Sequence, residues 1–97
     1  MRGVGIKPMR IWGKIIQDNH LLRDTEVLLE GTQNRTVKVF ESLRLICTEF
    51  DLEVPTWLKT NVKEFQKSAK TRFRQDSFIE QIPFDYLEIQ VLEEDLP

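Results

Sequence analysis

The side chains best suited to catalysis are rare in this sequence and stand apart. It has one His, His20, and one Cys, Cys47. Zinc sites take three or four ligands, most of them His or Cys, and proton relays commonly use His. Sites that need two imidazoles, Cys-rich zinc sites and internal disulfides are therefore excluded.

Neither of these two residues is predicted to be reactive. His20 falls in a predicted hairpin turn, and Cys47 lies on the apolar face of a predicted helix, where a free Cys packs as a small hydrophobic residue. The glycine spacing matches neither a dinucleotide-binding fingerprint nor a P-loop: the glycines are Gly3, Gly5, Gly13 and Gly31. We expect a non-enzymatic protein with no metal and no cofactor. An unrecognised carboxylate active site is the least favoured alternative.

Charge is distributed unevenly along the chain. The formal net charge is −2, which gives no overall attraction to nucleic acid or to an acidic membrane. Residues 59–74 nevertheless carry a net charge of +5, and residues 75–97 carry −7. The basic side chains form a candidate stripe: Lys59, Lys63, Lys67, Lys70, Arg72 and Arg74.

On a helix, the four lysines of this stripe would share about 80° of arc. Such a stripe can bind phosphates, with a strong dependence on salt, or an acidic protein partner. It can also be a solvated helix edge that the acidic C-terminal segment partly neutralises. The solvated edge is preferred, so nucleic acid is a candidate partner that the pattern does not favour.

A second candidate surface is apolar. Trp12, Ile16 and Leu22 would form a patch on the open side of a sheet whose other side is covered by helices. Exposed apolar patches often mark protein-binding sites. The alternative is that both sheet faces are partly covered, or that Trp12 packs against neighbouring aliphatic stems.

The first elements are predicted to form a β-hairpin. Met9–Gln17 and Leu21–Leu29 are rich in strand-forming residues, and Asp18–His20 has turn chemistry. A two-residue turn would place Lys14 opposite Arg23, which is unfavourable. We therefore expect a three-residue loop, which predicts three cross-strand pairs: Lys14 with Asp24, Ile16 with Leu22 and Ile11 with Val27.

Two helices and a further strand are predicted to follow. Arg35–Phe50 has apolar residues at helical spacing, and a second helix is expected from about Leu58 or Asn61 toward Phe73. Tyr86–Glu93 alternates apolar and polar residues, as a half-buried strand does. The first helix is expected to bury an apolar stripe that Val39 and Ile46 widen; its main residues are Val37, Phe40, Leu43, Cys47 and Phe50.

This element order predicts an α+β fold of ββααβ order. We expect a three-stranded antiparallel sheet with two main helices packed on one face. Residues 1–8 are predicted to be a flexible leader, and residues 9–97 a single domain. The sequence shows no signal peptide and no membrane span, and a lone Cys agrees with a cytoplasmic location.

Three segments carry a resemblance to a known family. They are Met9-Arg-Ile-Trp-Gly-Lys-Ile-Ile, the junction from Phe50-Asp51-Leu52 to Pro55-x-Trp57-Leu58, and the run from Phe84-Asp85-Tyr86-Leu87-Glu88 to Glu94-Asp95. The chain resembles, from about Met9 to Asp95, a family of short uncharacterised proteins of Clostridia and related Firmicutes. The resemblance implies a bacterial cytosolic source; that family has no established activity, so it transfers no functional residue.

The sequence therefore favours a small protein–protein interaction module whose partner it does not identify. The sequence is also compatible with self-association of this chain. The alternatives are nucleic-acid or phosphate binding through a basic helix over residues 59–74, and a phage-derived inhibitor of a bacterial immunity nuclease. The inhibitor hypothesis rests on size and source alone.

Overall fold

Two helices cover one face of a four-stranded antiparallel sheet. The structure is a computed structural model that describes residues 8–94, so the predicted leader lies outside the described residues except for Pro8. The elements are β1 (Met9–Gln17), β2 (His20–Leu29), α1 (Arg35–Phe50), α2 (Lys59–Ser68), β3 (Lys70–Phe73), a short 3-10 turn (Gln75–Ser77) and β4 (Tyr86–Glu94).

The sheet has one strand more than the sequence predicts. Its strand order is β2-β1-β4-β3, and all neighbours are antiparallel. The α+β class, the antiparallel sheet and the two helices are confirmed, whereas the three-stranded sheet and the ββααβ order are wrong. Helix α2 ends early because Ala69 adopts left-handed angles (φ 56°, ψ 33°). The chain then turns and pairs residues 70–73 with β4.

The hairpin combines a two-residue turn with a bulge. Asp18 and Asn19 both have positive φ, at 52° and 65°, which two-residue hairpin turns require. A register shift between Ile15 and Ile16 then leaves Leu22 as the extra residue. The predicted three-residue loop and the pair of Ile16 with Leu22 are therefore wrong, since Ile16 faces Leu21. Two predicted pairs are confirmed: Lys14 with Asp24 and Ile11 with Val27.

Helix α1 has the predicted bounds and buries most, but not all, of the predicted apolar face. Asn34 caps its start by accepting a hydrogen bond from the Val37 N–H (2.9 Å), and Asp51 ends it with left-handed angles. Val37 and Phe40 were expected in the core, but they are 46% and 53% exposed. Leu43, Cys47 and Phe50 are buried as predicted, together with Val39 and Ile46 of the widened stripe.

Gly13 fixes which face of α1 meets the sheet. It lies in β1 where the helix packs most closely, and a Cβ there would be 2.5 Å from the Ile46 Cγ2 atom. Ile46 therefore occupies the space above Gly13, which turns Phe40 away from the sheet. The sheet contributes further buried residues to this core: Met9, Ile11, Ile15, Phe73, Leu87 and Ile89.

No helix in the described part of the chain is long and apolar enough to cross a membrane.

Two truncations in α1 test this orientation. Leu43→Ala should lower the free energy of unfolding by about 2–5 kcal/mol, because it opens a cavity in a closed core. Phe40→Ala should cost about 1 kcal/mol or less, because half of the ring is already in solvent. Urea denaturation measures both values. An equal loss for the two variants would contradict the orientation.

A double-mutant cycle tests the contact of Gly13 with Ile46. Gly13→Ala should destabilise the protein by about 1–3 kcal/mol, because the new methyl group overlaps a β-branched side chain that cannot swing aside. In the Ile46→Ala background the same change should cost little, since the overlapping atoms are gone. Additive effects of the two substitutions would disprove the contact.

Candidate functional site

The open face of the sheet carries a row of alternating charges. Asp24, Lys14, Glu88 and Arg72 lie opposite one another on β2, β1, β4 and β3. Lys14 Nζ is 2.8 Å from Glu88 Oε2, and Arg72 Nε donates to Glu88 Oε1 at 2.9 Å. The Glu88 residue is 4% exposed. Its burial raises the pKa of the carboxyl, but Lys14 and Arg72 outweigh burial and hold the pKa below its ordinary value.

This charged row interrupts the predicted apolar patch. Trp12 is half-buried; its indole N–H donates to Asp24 Oδ2 at 2.9 Å, and Lys14 Nζ lies 4.1 Å from its ring centroid. Ile16 lies four residues further along β1, about 13 Å away, with Lys14 between them on the same face. Leu22 is exposed in the bulge. The structure thus separates Trp12 from Ile16, whereas Leu22 lies next to Leu21, the residue that pairs with Ile16.

The predicted basic stripe is also divided. Lys59, Lys63 and Lys67 lie on α2, whereas Lys70 and Arg72 lie on β3 and Arg74 directly follows it, so a single helix over residues 59–74 is wrong. The strand nevertheless creates a new arrangement, a cavity of about 340 Å³ at the end of α2. We call it the basic cavity, and it is lined by Glu64, Lys67, Ser68, Lys70, Thr71, Arg72 and Arg74.

Buried Asn61 holds the two walls of the basic cavity together. Its Nδ2 donates to Thr71 Oγ1 and to the Arg72 carbonyl, both at 2.9 Å, and its Oδ1 accepts from the Leu58 N–H at 2.9 Å. Thr71 Oγ1 in turn donates to Glu64 Oε1 at 2.6 Å. These bonds join α2 to β3 and fix the relative positions of the two backbones.

A second cavity lies between the two helices and was missed from the sequence. This interhelical groove has a volume of about 200 Å³ and is lined by Arg35, Thr36, Val39, Phe40, Trp57, Val62, Phe65 and Gln66. Its aromatic wall is centred on Trp57, whose ring makes edge contacts with Phe40, Phe65 and Phe73 at centroid distances of 5.9, 5.5 and 5.1 Å. The sequence feature that indicates this groove is the number of apolar residues on α1, which is larger than one sheet face can cover.

The residues most suited to catalysis remain separate. Burial raises the pKa of the Cys47 thiol to about 12, so it stays protonated at neutral pH. His20 is exposed at the start of β2. Residues 8–94 contain no group of three or more His, Cys, Asp or Glu placed to hold a metal ion.

Comparison with known protein families, curated proteins and solved structures finds no match to the chain. Functional inference therefore rests on the two cavities.

The charged row predicts a specific loss of stability in acid. Because the folded-state pKa of Glu88 is lowered, its ionised form stabilises the fold above the ordinary value of 4.5, and that contribution is lost as the pH falls below it. Glu88→Gln should lower the free energy of unfolding at pH 7 by about 1.5–3 kcal/mol. In this variant the free energy of unfolding should also fall less steeply than in the wild type as the pH decreases below 4.5.

Urea denaturation between pH 3 and 7 measures this effect. Glu41→Gln is the matched control, because Glu41 also has a lowered pKa but is a solvent-accessible partner of Arg44. The control should leave the pH dependence almost unchanged. Identical curves for wild type and Glu88→Gln would refute the role of the buried carboxylate.

Proposed function

We propose that this protein is a binding module for an acidic, amphipathic segment of another protein, which docks in the interhelical groove. The observation that carries the proposal is the exposure of large apolar side chains around a formed cavity. Phe40 is 53% exposed and Val62 is 42% exposed, although both stand beside the aromatic cluster around Trp57. A groove of this kind suits the apolar face of a helical peptide.

The size of the groove sets the expected affinity. A cavity of about 200 Å³ accepts one large aliphatic or aromatic side chain. Burying one such side chain contributes about 1.5–3 kcal/mol, so a stable complex needs further contacts along the helices. We expect a dissociation constant in the micromolar range, about 1–100 μM.

The charges beside the groove select an acidic occupant. Lys59 and Lys63 lie about 60° and 100° around α2 from Val62, on its solvent side. Neither Lys59 nor Lys63 forms an ion pair within residues 8–94. On α1, Glu41 and Arg44 pair with each other, so their charges cancel. Carboxylates on a bound segment would therefore meet unpaired ammonium groups.

Binding is preferred to catalysis for a chemical reason. The groove is lined mainly by apolar and aromatic side chains. Its charged residue, Arg35, forms an ion pair with Glu94, with 2.8 Å between Arg35 Nε and Glu94 Oε2. Such a lining can recognise a ligand but offers no base or nucleophile. Cytoplasmic location is part of the same proposal, supported by a single Cys that is buried as a thiol.

The two tryptophans make the proposal testable by NMR. The chain has two Trp residues, so Trp12 reports on the open sheet face and Trp57 on the groove. The probe is a synthetic 16-residue helical peptide with Leu at every third or fourth position and Glu elsewhere. Its addition should shift the Trp57 indole resonance and leave that of Trp12 in place. The same peptide with Lys instead of Glu should bind at least ten-fold more weakly.

Matched variants locate the site. Phe40→Ser should weaken binding at least ten-fold, whereas Leu28→Ser, which changes an apolar residue of equal exposure on β2 (52%), should not. Analytical ultracentrifugation at rising protein concentration tests whether a second copy of the chain fills the groove by forming a dimer. Shifts at Trp12, equal loss in both variants, or a dimer that Phe40→Ser dissolves would each overturn the proposal, the last because a second copy would then fill the groove.

A further inference from the structure

The basic cavity has the composition and shape of a phosphate-binding site. We propose that it binds the backbone of a single-stranded nucleic acid along β3. This site is separate from the interhelical groove, because the two linings share no residue. The inference concerns a surface that exists only because β3 replaces the end of the predicted helix.

The cations of β3 stand in a line. Lys70, Arg72 and Arg74 occupy alternate positions of an extended segment, since Arg74 keeps extended angles (φ −98°, ψ −173°). Alternate residues of a strand project from the same face at intervals of about 6.8 Å. This interval is comparable with the separation of successive phosphates along an extended single strand. Lys67 completes the set from the helix side.

Most of these charges are available to a ligand. Within residues 8–94, Lys67, Lys70 and Arg74 form no ion pair, and Arg72 is held by Glu88. The one carboxylate that lines the cavity, that of Glu64, accepts the Thr71 hydroxyl. The lining residues carry a formal net charge of +3, of which the ion pair of Arg72 with Glu88 offsets one unit.

The acidic C-terminal segment neutralises one of the four cations of this cluster. Of its described carboxylates, Glu88 alone pairs with a cation of the basic cavity. Glu93 pairs with Arg10 at 3.3 Å, and Glu94 pairs with Arg35 at 2.8 Å, both outside the cavity lining. Partial neutralisation by the acidic segment is therefore present at Arg72, whereas Lys67, Lys70 and Arg74 form no ion pair within residues 8–94.

Tyr86 favours a single strand over a duplex or a phosphopeptide. It lies on β4 beside β3 and is half-buried; the Arg72 and Arg74 guanidinium carbons are 4.6 and 5.5 Å from its ring centroid. Unpaired bases stack on aromatic rings and on Arg guanidinium planes. A duplex keeps its base faces closed, and a phosphopeptide has no base to place on this stack.

Fluorescence anisotropy with labelled 12-nucleotide oligo-dT and oligo-rU tests the proposal. Wild type should bind at 20 mM salt, and its affinity should fall with a log–log salt slope of about −2 for three phosphate contacts. Lys70→Gln/Arg74→Gln should weaken binding at least ten-fold and make the slope shallower by about 1.4. The chain has one Tyr, so its ring resonances should shift when the oligonucleotide binds.

The control removes the same charge elsewhere. Lys59→Gln/Lys63→Gln changes two cations on α2 that do not line the cavity, and it should change affinity less than two-fold. Equal weakening by the two double variants would show diffuse attraction and overturn the proposal. Absence of binding at 20 mM salt, tighter binding of a 12-bp duplex, or tighter binding of a phosphoserine peptide would overturn it as well.

Discussion

A single buried carboxylate, that of Glu88, controls the arrangement of the sheet. Burying a charge is unfavourable unless it is paired and hydrogen-bonded, and Glu88 meets this condition through Lys14 on β1 and Arg72 on β3. The ion pairs form in one register of these three strands, because a shift of one residue would move a partner to the other face. The same register places Arg72 beside Tyr86 and gives the basic cavity one of its walls.

The parts of the fold that depend on local pattern could be predicted from the sequence. The bounds of α1, the two hairpin strands and β4 follow from the apolar periodicity, and the pair of Lys14 with Asp24 follows from charge. The exposure of Val37 and Phe40 could not be predicted, because the orientation of α1 depends on the space that Gly13 leaves for Ile46 across the core. Strand β3 was missed because Ala69, a strong helix former, takes left-handed angles, and pairing with β4 outweighs its preference.

The candidate sites were harder to predict than the fold, since both depend on those two features. The groove exists because Ile46 rather than Phe40 faces the sheet, which leaves Phe40 beside Trp57. The basic cavity exists because the chain reverses at Ala69 and brings Lys70 back alongside α2. All four cations that line the cavity belong to the stripe predicted from the sequence. Their predicted helical arrangement was wrong, because residue spacing reports on local structure and not on a chain reversal.

Strand β2 is an edge of the sheet, and its middle carries Asp24 and Glu26 with Thr25 between them. An edge strand offers unpaired backbone groups to any other strand, including that of an identical molecule. If two copies paired antiparallel about a two-fold axis at any of these three residues, carboxylates would face carboxylates, and like charges in that position repel. The carboxylates of β2 therefore disfavour a dimer in which two copies join their sheets through this edge.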